Sequence, residues 1–367
     1  MRKFLQELLV KPINRLADYY SSRPDKERVH KALTDLYASI TSDNKKGLLL
    51  NFNAETDRFI IFSDMHKGTK NGADDFNFSE KNYLQALEYY EKNKFTYIQL
   101  GDAEELWENK LAAVKKANAD SFDKERFFLQ RNAFIKVFGN HDLFWDNSPF
   151  SSSELEDIYA QKVTIYEGVV LRTTDSSNSL DIFLTHGHQG DELSDGNWFT
   201  KWFIANLWAP LQSYLLINPN TPAYYNYLKT AHNKLMYEWV APQQNILLVT
   251  GHTHQPVFQS LTQLERLYRR LESAKESKDE AAVKDIENEI QIKHQKGQIL
   301  PDFSGYKPSY FNSGCCCYND GDITGLEIEA GQISLIKWEY NEDTQMPGRI
   351  LLETVALSKL ISSEAVN

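Results

Sequence analysis

The chain of 367 residues is long enough to bury a large core, in one large domain or two smaller ones. Its hydrophobic content of 41% and charged content of 25% are ordinary for a soluble globular protein. A net charge of −11 disfavours a broad phosphate-neutralising surface, and therefore extended binding of DNA or RNA. The stretch MRKFLQELLVKPINRLADYY lacks the apolar run of a secretory signal, and no segment is apolar enough to cross a bilayer, so a cytoplasmic protein is expected.

The beginning of the chain predicts helices. Apolar residues recur at helical spacing between Phe4 and Leu16, and a second helical stretch runs roughly from Lys26 to Ile40. The strand signals begin only after this region. The expected organisation is a helical N-terminal extension over 1–50, a main domain over 51–341 and a C-terminal tail over 342–367.

Five short apolar stretches further along the chain predict buried strands, and Asp, Asn or His follows each of them at once. In chain order they are FIIF before Ser63-Asp64-Met65-His66, TYIQL before Gly101-Asp102, AFIKVF before Gly139-Asn140-His141-Asp142, LDIFLT before His186-Gly187-His188, and NILLVT before Gly251-His252-Thr253-His254. Open α/β sheets bind ligands at the carboxyl ends of their strands, where the following loops converge. We therefore expect a functional site at this edge, where six of the nine histidines lie.

The donors in these loops indicate a metal centre. Imidazole and carboxylate groups suit divalent ions such as Zn, Mn, Fe or Co. Seven donors are too many for one tetrahedral ion, but they fit two ions that share a bridging carboxylate. Two ions ~3.5–4 Å apart can hold a hydroxide and bind the oxygens of an in-line phosphoryl displacement. The predicted metal donors are Asp64, His66, Asp102, Asn140, His186, His252 and His254.

The predicted catalytic residues are His141 and Asp142. His141 directly follows a donor, and the Asp142 carboxylate is expected to hydrogen-bond it and keep it protonated. A protonated imidazole suits proton donation to a leaving alkoxide or stabilisation of transition-state charge. Glu105 is expected to support a donor rather than coordinate, and His188 is either a partner of a metal donor or a substrate contact.

The ordered series DMH, GDAEE, GNHD, HGH and GHTH resembles the calcineurin-like metallophosphoesterase superfamily, over about residues 57–258. The resemblance implies an α/β fold, a four-layer α/β/β/α sandwich, with two divalent ions from among Mn, Fe, Zn, Co and Ni. It also implies attack on phosphorus by a metal-bridging hydroxide, without a covalent enzyme intermediate. By the family pattern, one ion is held by Asp64, His66 and His254, the other by Asn140, His186 and His252, and Asp102 bridges them.

Departures from the family pattern bear on the substrate. GDAEELWE lacks the Asp-Arg-Gly continuation of the protein Ser/Thr phosphatases, and GNHD replaces their GNHE, which disfavours a phosphoprotein substrate. The spacing of SDMHKGTKNGADDF and LGDAEELWE is similar to UDP-2,3-diacylglucosamine hydrolases, although those typically carry Arg where His141 stands and Asp where His188 stands. The expected reaction is hydrolysis of a phosphodiester, pyrophosphate or monoester of a small molecule or lipid-linked precursor. The alternatives are a non-catalytic metal-binding scaffold that engages a protein partner, and a nuclease.

Two insertions and a cysteine run complete the pattern. The aromatic stretch from Asn197, in a helical insertion over about 192–240, is typical of a buried helix, with a substrate cap or a peripheral membrane or dimer surface as alternatives. The charged segment over about 261–300 favours a solvated helical hairpin, with partner binding as the alternative. Cys315 to Cys317 are expected to be packing residues of a strand rather than redox or metal residues. The last alternating stretch, ITGLEIEAGQISLIKWEY, predicts a β-hairpin.

Overall fold

The computed structural model describes residues 25–42, 46–72, 74–174, 179–190, 222–295 and 307–361. The helices in these ranges are α1 (Lys26–Ser42), α2 (Phe76–Lys92), α3 (Leu111–Ala117), α4 (Ala119–Gln130), α5 (Phe144–Asn147), α6 (Ser151–Tyr159), α7 (Pro222–Val240), α8 (Gln263–Glu276), α9 (Glu280–Gln295) and α10 (Leu357–Ile361). The strands are β1 (Gly47–Phe52), β2 (Phe59–Phe62), β3 (Thr96–Leu100), β4 (Phe134–Val137), β5 (Ile165–Tyr166), β6 (Gly168–Thr173), β7 (Asp181–Thr185), β8 (Ile246–Thr250), β9 (Val257–Phe258), β10 (Leu261–Thr262), β11 (Tyr310–Asn312), β12 (Ile323–Glu329), β13 (Gln332–Asn341) and β14 (Met346–Ala356).

The strands form two seven-stranded sheets. The first sheet has the order β1-β6-β7-β8-β11-β9-β10, and its central strands β7, β8 and β11 are parallel. The second sheet has the order β14-β13-β12-β2-β3-β4-β5, in which β2 to β5 are parallel and β12 to β14 antiparallel. Because parallel strands end at the same edge of a sheet, the loops after β2, β3 and β4 lie together, as do those after β7 and β8.

The two sheets pack face to face through one set of alternating side chains. Phe59, Ile61 and Ile98 of the second sheet share a core with Leu184 and Val249 of the first. Successive strand residues point to opposite faces, so the intervening residues face outward.

Helices cover both outward faces. Ile60 and Phe62 of the second sheet pack against Tyr83 and Leu87 of α2 and Phe128 of α4. On the first sheet, Phe183 and Leu248 pack against α1 and α7, which contribute the buried side chains Val29, Leu33, Leu36, Ile40, Met236, Trp239 and Val240. The layers are therefore α/β/β/α, which confirms the fold class expected from the sequence.

Two expected boundaries differ in the structure. Met346–Ala356, expected in a tail, is the edge strand of the second sheet and pairs with β13 along its length. Its sequence, MPGRILLETVA, has proline and glycine in its second and third positions and lacks regular alternation, which an edge strand tolerates. At the other end, α1 and β1 belong to the layers of the sandwich rather than to a separate extension. Residues 1–24 and the aromatic stretch from Asn197 lie outside the described residues.

The cysteine run does not occupy a strand. β11 ends at Asn312, and Cys315 to Cys317 lie in the loop that follows it, so the expected strand placement is wrong. All three thiols are free and buried. The tight turn at Gly314 ends the strand, since its φ of +78° is a left-handed conformation that glycine adopts readily.

The charged segment forms two antiparallel helices beside the sandwich. Thr262 and Glu265 form a capping box at the start of α8, which satisfies two backbone N–H groups that would otherwise lack partners. Leu264 and Leu267 of α8 pack against Ile286 and Ile290 of α9. Among the ranges given above, no helix has the length and apolar character needed to span a membrane.

Candidate metal centre

Loops from both sheets bring the predicted donors together. His254 Nε2 lies 3.2 Å from Asp64 Oδ1 and 3.1 Å from His66 Nε2. His186 Nε2 lies 3.1 Å from Asp102 Oδ2, which is also 3.7 Å from His66 Nε2. Donors that are far apart in the sequence therefore occupy one site, where the edges of the two sheets meet.

Asp102 belongs to two groups of donors. Asp64, His66 and Asp102 each offer a ligand atom within 4.8 Å of the others, and so do Asp102, His186 and His252. Asp102 is therefore the donor that these two groups share.

Two buried donor atoms have no hydrogen-bond partner, namely Asn140 Oδ1 and His186 Nε2. The contact of His186 Nε2 with Asp102 lacks hydrogen-bond geometry, and the other ring nitrogen, Nδ1, is 3.0 Å from the Leu100 carbonyl oxygen. A buried polar atom without a partner costs about 1–3 kcal/mol, which a bond to a metal ion offsets. The donor set therefore fits divalent ions.

The electrostatics of the site favour bound positive charge. Burial lowers the pKa of His66, but the hydrogen bond to Glu105 and the charges of Asp102, Glu105 and Asp64 outweigh it and raise the pKa to about 10. Surroundings that hold an extra proton on a buried imidazole also attract a divalent cation.

Five donors have a left-handed backbone conformation. Such a conformation costs a non-glycine residue about 1–3 kcal/mol and persists where the surrounding structure enforces it, typically at functional sites. These donors come from the loops after β2, β3 and β8. They are Asp64 (φ 53°), His66 (φ 50°), Asp102 (φ 50°), His252 (φ 67°) and His254 (φ 54°).

Glycine before a donor permits close packing between loops. A Cβ atom on Gly101 would lie 2.5 Å from the His186 ring, and Gly139 packs against the Asp102 carboxylate. A larger residue at either position would displace a donor, which explains why the motifs pair Gly with Asp or Asn.

Glu105 orients two imidazoles. Its Oε2 atom is 3.0 Å from His66 Nδ1 and 2.7 Å from His141 Nδ1. Burial raises the pKa of Glu105, but His141 and His66 outweigh this effect and bring the pKa to about 2. With Nδ1 held by the carboxylate, Nε2 of each ring is directed away from Glu105. The His141 ring also stacks on Trp107, with centroids 4.3 Å apart.

Asp142 has a different role from the one predicted. Its carboxylate accepts hydrogen bonds from the backbone N–H groups of Ala103, at 2.9 Å, and Gly139, at 2.5 Å. Asp142 therefore ties the loop after β3 to the loop after β4, and Glu105 takes the expected place beside His141. The predicted pairing of Asp142 with His141 is wrong because the Asp142 side chain turns back toward its own loop.

Other buried residues surround the donors. His254 Nδ1 is 3.6 Å from Cys317 Sγ, so this thiol lies behind the ring rather than on its Nε2 side. His188 packs beside His186 and Phe138, and its burial lowers its pKa to about 3, which keeps the ring neutral. His232 of α7 is 2.7 Å from the Gly187 carbonyl oxygen, and its ring centroid is 5.0 Å from that of His252. Trp107, Cys317 and His232 were not predicted at the site.

A buried network of ion pairs connects the loops after β2 and β3 to β4 and α4. Lys67 Nζ is 2.7 Å from Glu125 Oε1 and 3.2 Å from Glu104 Oε1, and Lys136 Nζ is 2.8 Å from Glu104 Oε2. Burial raises the pKa of Glu104, but Lys136 and Lys67 outweigh this effect and bring it to about 2. Three phenols complete the network around Glu125, and we call them the network tyrosines: Tyr83, Tyr97 and Tyr159.

Comparison with known proteins agrees with this geometry. The family model described as calcineurin-like phosphoesterase matches residues 57–256. A comparison with curated protein sequences finds no significant match. Similar solved structures include vacuolar protein sorting 29 from Cryptosporidium parvum, with 11% identity over 82% of this chain and 98% of that one and a TM-score of 0.30. A mutant cold-active protein tyrosine phosphatase shares 11% identity over 84% and 82% of the two chains, with a TM-score of 0.33.

The narrower likeness to UDP-2,3-diacylglucosamine hydrolases stays a prediction. The family match covers more than half of the chain and includes all five motif loops. The chain therefore belongs to the calcineurin-like phosphoesterase family and is a metal-dependent phosphoester hydrolase.

Proposed function

We propose that the chain hydrolyses phosphate esters of small molecules at a centre of two divalent ions. The observation that supports this most directly is the position of Asp102, which lies in both donor groups. The proposed ligands of one ion are Asp64, His66 and His254, those of the other are Asn140, His186 and His252, and Asp102 is the shared ligand. When bound, the ions supply an activated water and positive charge for the phosphoryl oxygens.

The chain's own residues fix the direction of the ligands. Glu105 holds His66 by Nδ1 and the Leu100 carbonyl holds His186 by Nδ1, so Nε2 of each ring is left for the metal. Such outer partners set the tautomer and raise the basicity of a metal-binding histidine. The backbone N–H of His252 donates to both oxygens of Asp64, at 3.1 and 2.9 Å, which orients that carboxylate.

In this proposal His141 donates a proton to the leaving oxygen. Burial lowers the pKa of His141, but the charges of Glu105 and Asp102 outweigh it and raise the pKa, which favours the protonated ring. The stack on Trp107 and the Glu105 hydrogen bond fix the ring, so Nε2 can deliver its proton in one direction. General acid catalysis of this kind contributes about 10²–10⁴-fold to a rate.

The test is metal content and hydrolysis measured on the same samples. Protein equilibrated with Mn should bind two ions per chain and hydrolyse an aryl phosphate, and Asp102→Ala or His252→Ala should abolish turnover. His294→Ala is the matched control, since His294 lies on the helical hairpin in contact with Tyr268. Full activity in the Asp102 variant would refute the proposed centre.

A further inference from the structure

The α7 helix presents one polar face to the metal centre. His232 contacts the Gly187 carbonyl oxygen. Asn233 accepts a hydrogen bond from Thr253 Oγ1, at 3.1 Å, and donates one to Gln255 Oε1, at 3.0 Å. Residues three and four positions apart share a helix face, so Lys229 lies on this face one turn before His232 and Asn233. Lys234 and Glu238 pair with each other at the outer surface.

Helix geometry places Lys229 beyond the ends of the strands, on the side of the metal centre. The carboxyl end of α7 packs against β8 near Ile246, whereas His232 is level with the loops that follow β7 and β8. α7 therefore runs antiparallel to β8, and a residue three positions before His232 is ~4.5 Å further beyond the strand ends. Helical side chains tilt toward the amino end, which carries the Lys229 ammonium further in that direction.

The surroundings of Lys229 place it on the Asp64 side of the centre. Burial lowers its pKa, and the neighbouring groups that oppose this effect are Cys315, Cys317 and Asp64. A partly desolvated ammonium interacts more strongly with an arriving anion than a fully hydrated one does.

The side of the centre that carries His141 is acidic and aromatic. Burial and the charge of Glu105 raise the pKa of Glu108 to about 7, so this carboxyl group is partly ionised at neutral pH, and Trp107 covers the His141 ring. The leaving group meets this side, because His141 is the residue proposed to protonate it. An anionic leaving group is therefore disfavoured there, and this disfavours a pyrophosphate substrate.

We propose that Lys229 binds a non-bridging oxygen of the substrate phosphate and makes the enzyme selective for phosphate monoesters of uncharged or cationic alcohols. This rests on the proposed two-metal function, because the phosphate must reach the centre for Lys229 to contact it. A monoester dianion has one more charged oxygen than a diester, and Lys229 supplies the charge that complements it.

The test compares two esters with the same leaving group, para-nitrophenyl phosphate and bis-para-nitrophenyl phosphate, on Mn-loaded protein. Lys229→Met should lower kcat/KM for the monoester by about ten- to a hundredfold, the size expected for one charge-assisted hydrogen bond, with a much smaller effect on the diester. Lys229→Arg should retain most of the monoester activity, and Lys234→Met on the outer face should match the wild type.

Calorimetric titration with inorganic phosphate provides a readout that is independent of turnover. The Lys229→Met protein should bind phosphate at least about tenfold more weakly than wild type while its Mn content is unchanged. Equal decreases in kcat/KM for the two esters, or unchanged affinity for phosphate, would overturn the proposed role of Lys229. Neither result would contradict the two-metal centre. A wild-type protein that binds Mn but hydrolyses neither ester would overturn the proposed function itself.

Discussion

The contact between Glu105 and two imidazoles gives the sharpest prediction about catalysis. Glu105→Gln keeps the shape of the side chain but removes its charge, so an amide oxygen in the place of Oε2 accepts from His66 and His141 only as a neutral acceptor. A hydrogen bond to a charged group is worth about 1.5–3 kcal/mol and a neutral one about 0.5–1.5 kcal/mol. The loss at His141 is therefore about 1–2 kcal/mol, which corresponds to a decrease in kcat of about five- to thirtyfold.

Saturating Mn separates the two consequences of this change. Weaker orientation of His66 lowers metal affinity by about 10–100-fold, and added Mn compensates for it. The decrease in kcat of an aryl phosphate at saturating Mn then reports His141 alone. Glu156→Gln, an exposed carboxylate on α6, is the matched control and should behave like wild type.

A double variant tests whether Glu105 acts through His141. His141→Ala removes the proton donor, so adding Glu105→Gln to it should lower kcat no further. A kcat of Glu105→Gln equal to wild type at saturating Mn would refute this reasoning, and so would independent, multiplying losses in the double variant.

Three further predictions concern the supports of the site. Lys136→Met leaves Glu104 with Lys67 as its remaining cation and should lower the free energy of unfolding by about 3 kcal/mol in urea denaturation. A decrease of less than ~0.5 kcal/mol would show that the ionic network does not stabilise the fold. Gly101→Ala should push the His186 ring aside and reduce bound Mn below two equivalents in a folded protein, a change that full metal occupancy would contradict. Burial raises the pKa of the network tyrosines well above 10.0, so their stabilising contribution is present below pH 10.0 and lost at higher pH. As the pH is raised, the absorbance of the ionised network tyrosines should increase only at the pH at which the circular dichroism signal of the fold is lost. An increase at a lower pH, in folded protein, would contradict the structure.

The strands were predictable because each is a compact apolar run that ends at glycine or a polar residue. Phe59–Phe62 and Thr96–Leu100 begin and end where the sequence indicates. Within each sheet the convergence of the donors followed from the same pattern, since parallel strands deliver their following loops to one edge, whereas the meeting of the two sheets did not. The strands and the donor positions at their carboxyl ends are thus encoded in local sequence, whereas the four-layer sandwich was implied by the family resemblance.

The contacts between side chains at the site could not be predicted from the sequence. Asp142 is the neighbour of His141 in the chain, but Glu105 is its neighbour in space, and only the turn of each side chain decides between them. Lys229 and His232 lie on a helix without a motif, and their relation to the site depends on how α7 packs against β8. The edge strand β14 carries too few regular alternations to be distinguished from a tail.

The number and position of bound ions test the central claim most directly. We expect anomalous diffraction from crystals grown with Mn to show two peaks about 3.5–4 Å apart, with the Asp102 carboxylate between them. One peak should contact His66 and His254, and the other His186 and His252. A single peak at full occupancy, or two peaks that do not share Asp102, would contradict the two-metal centre.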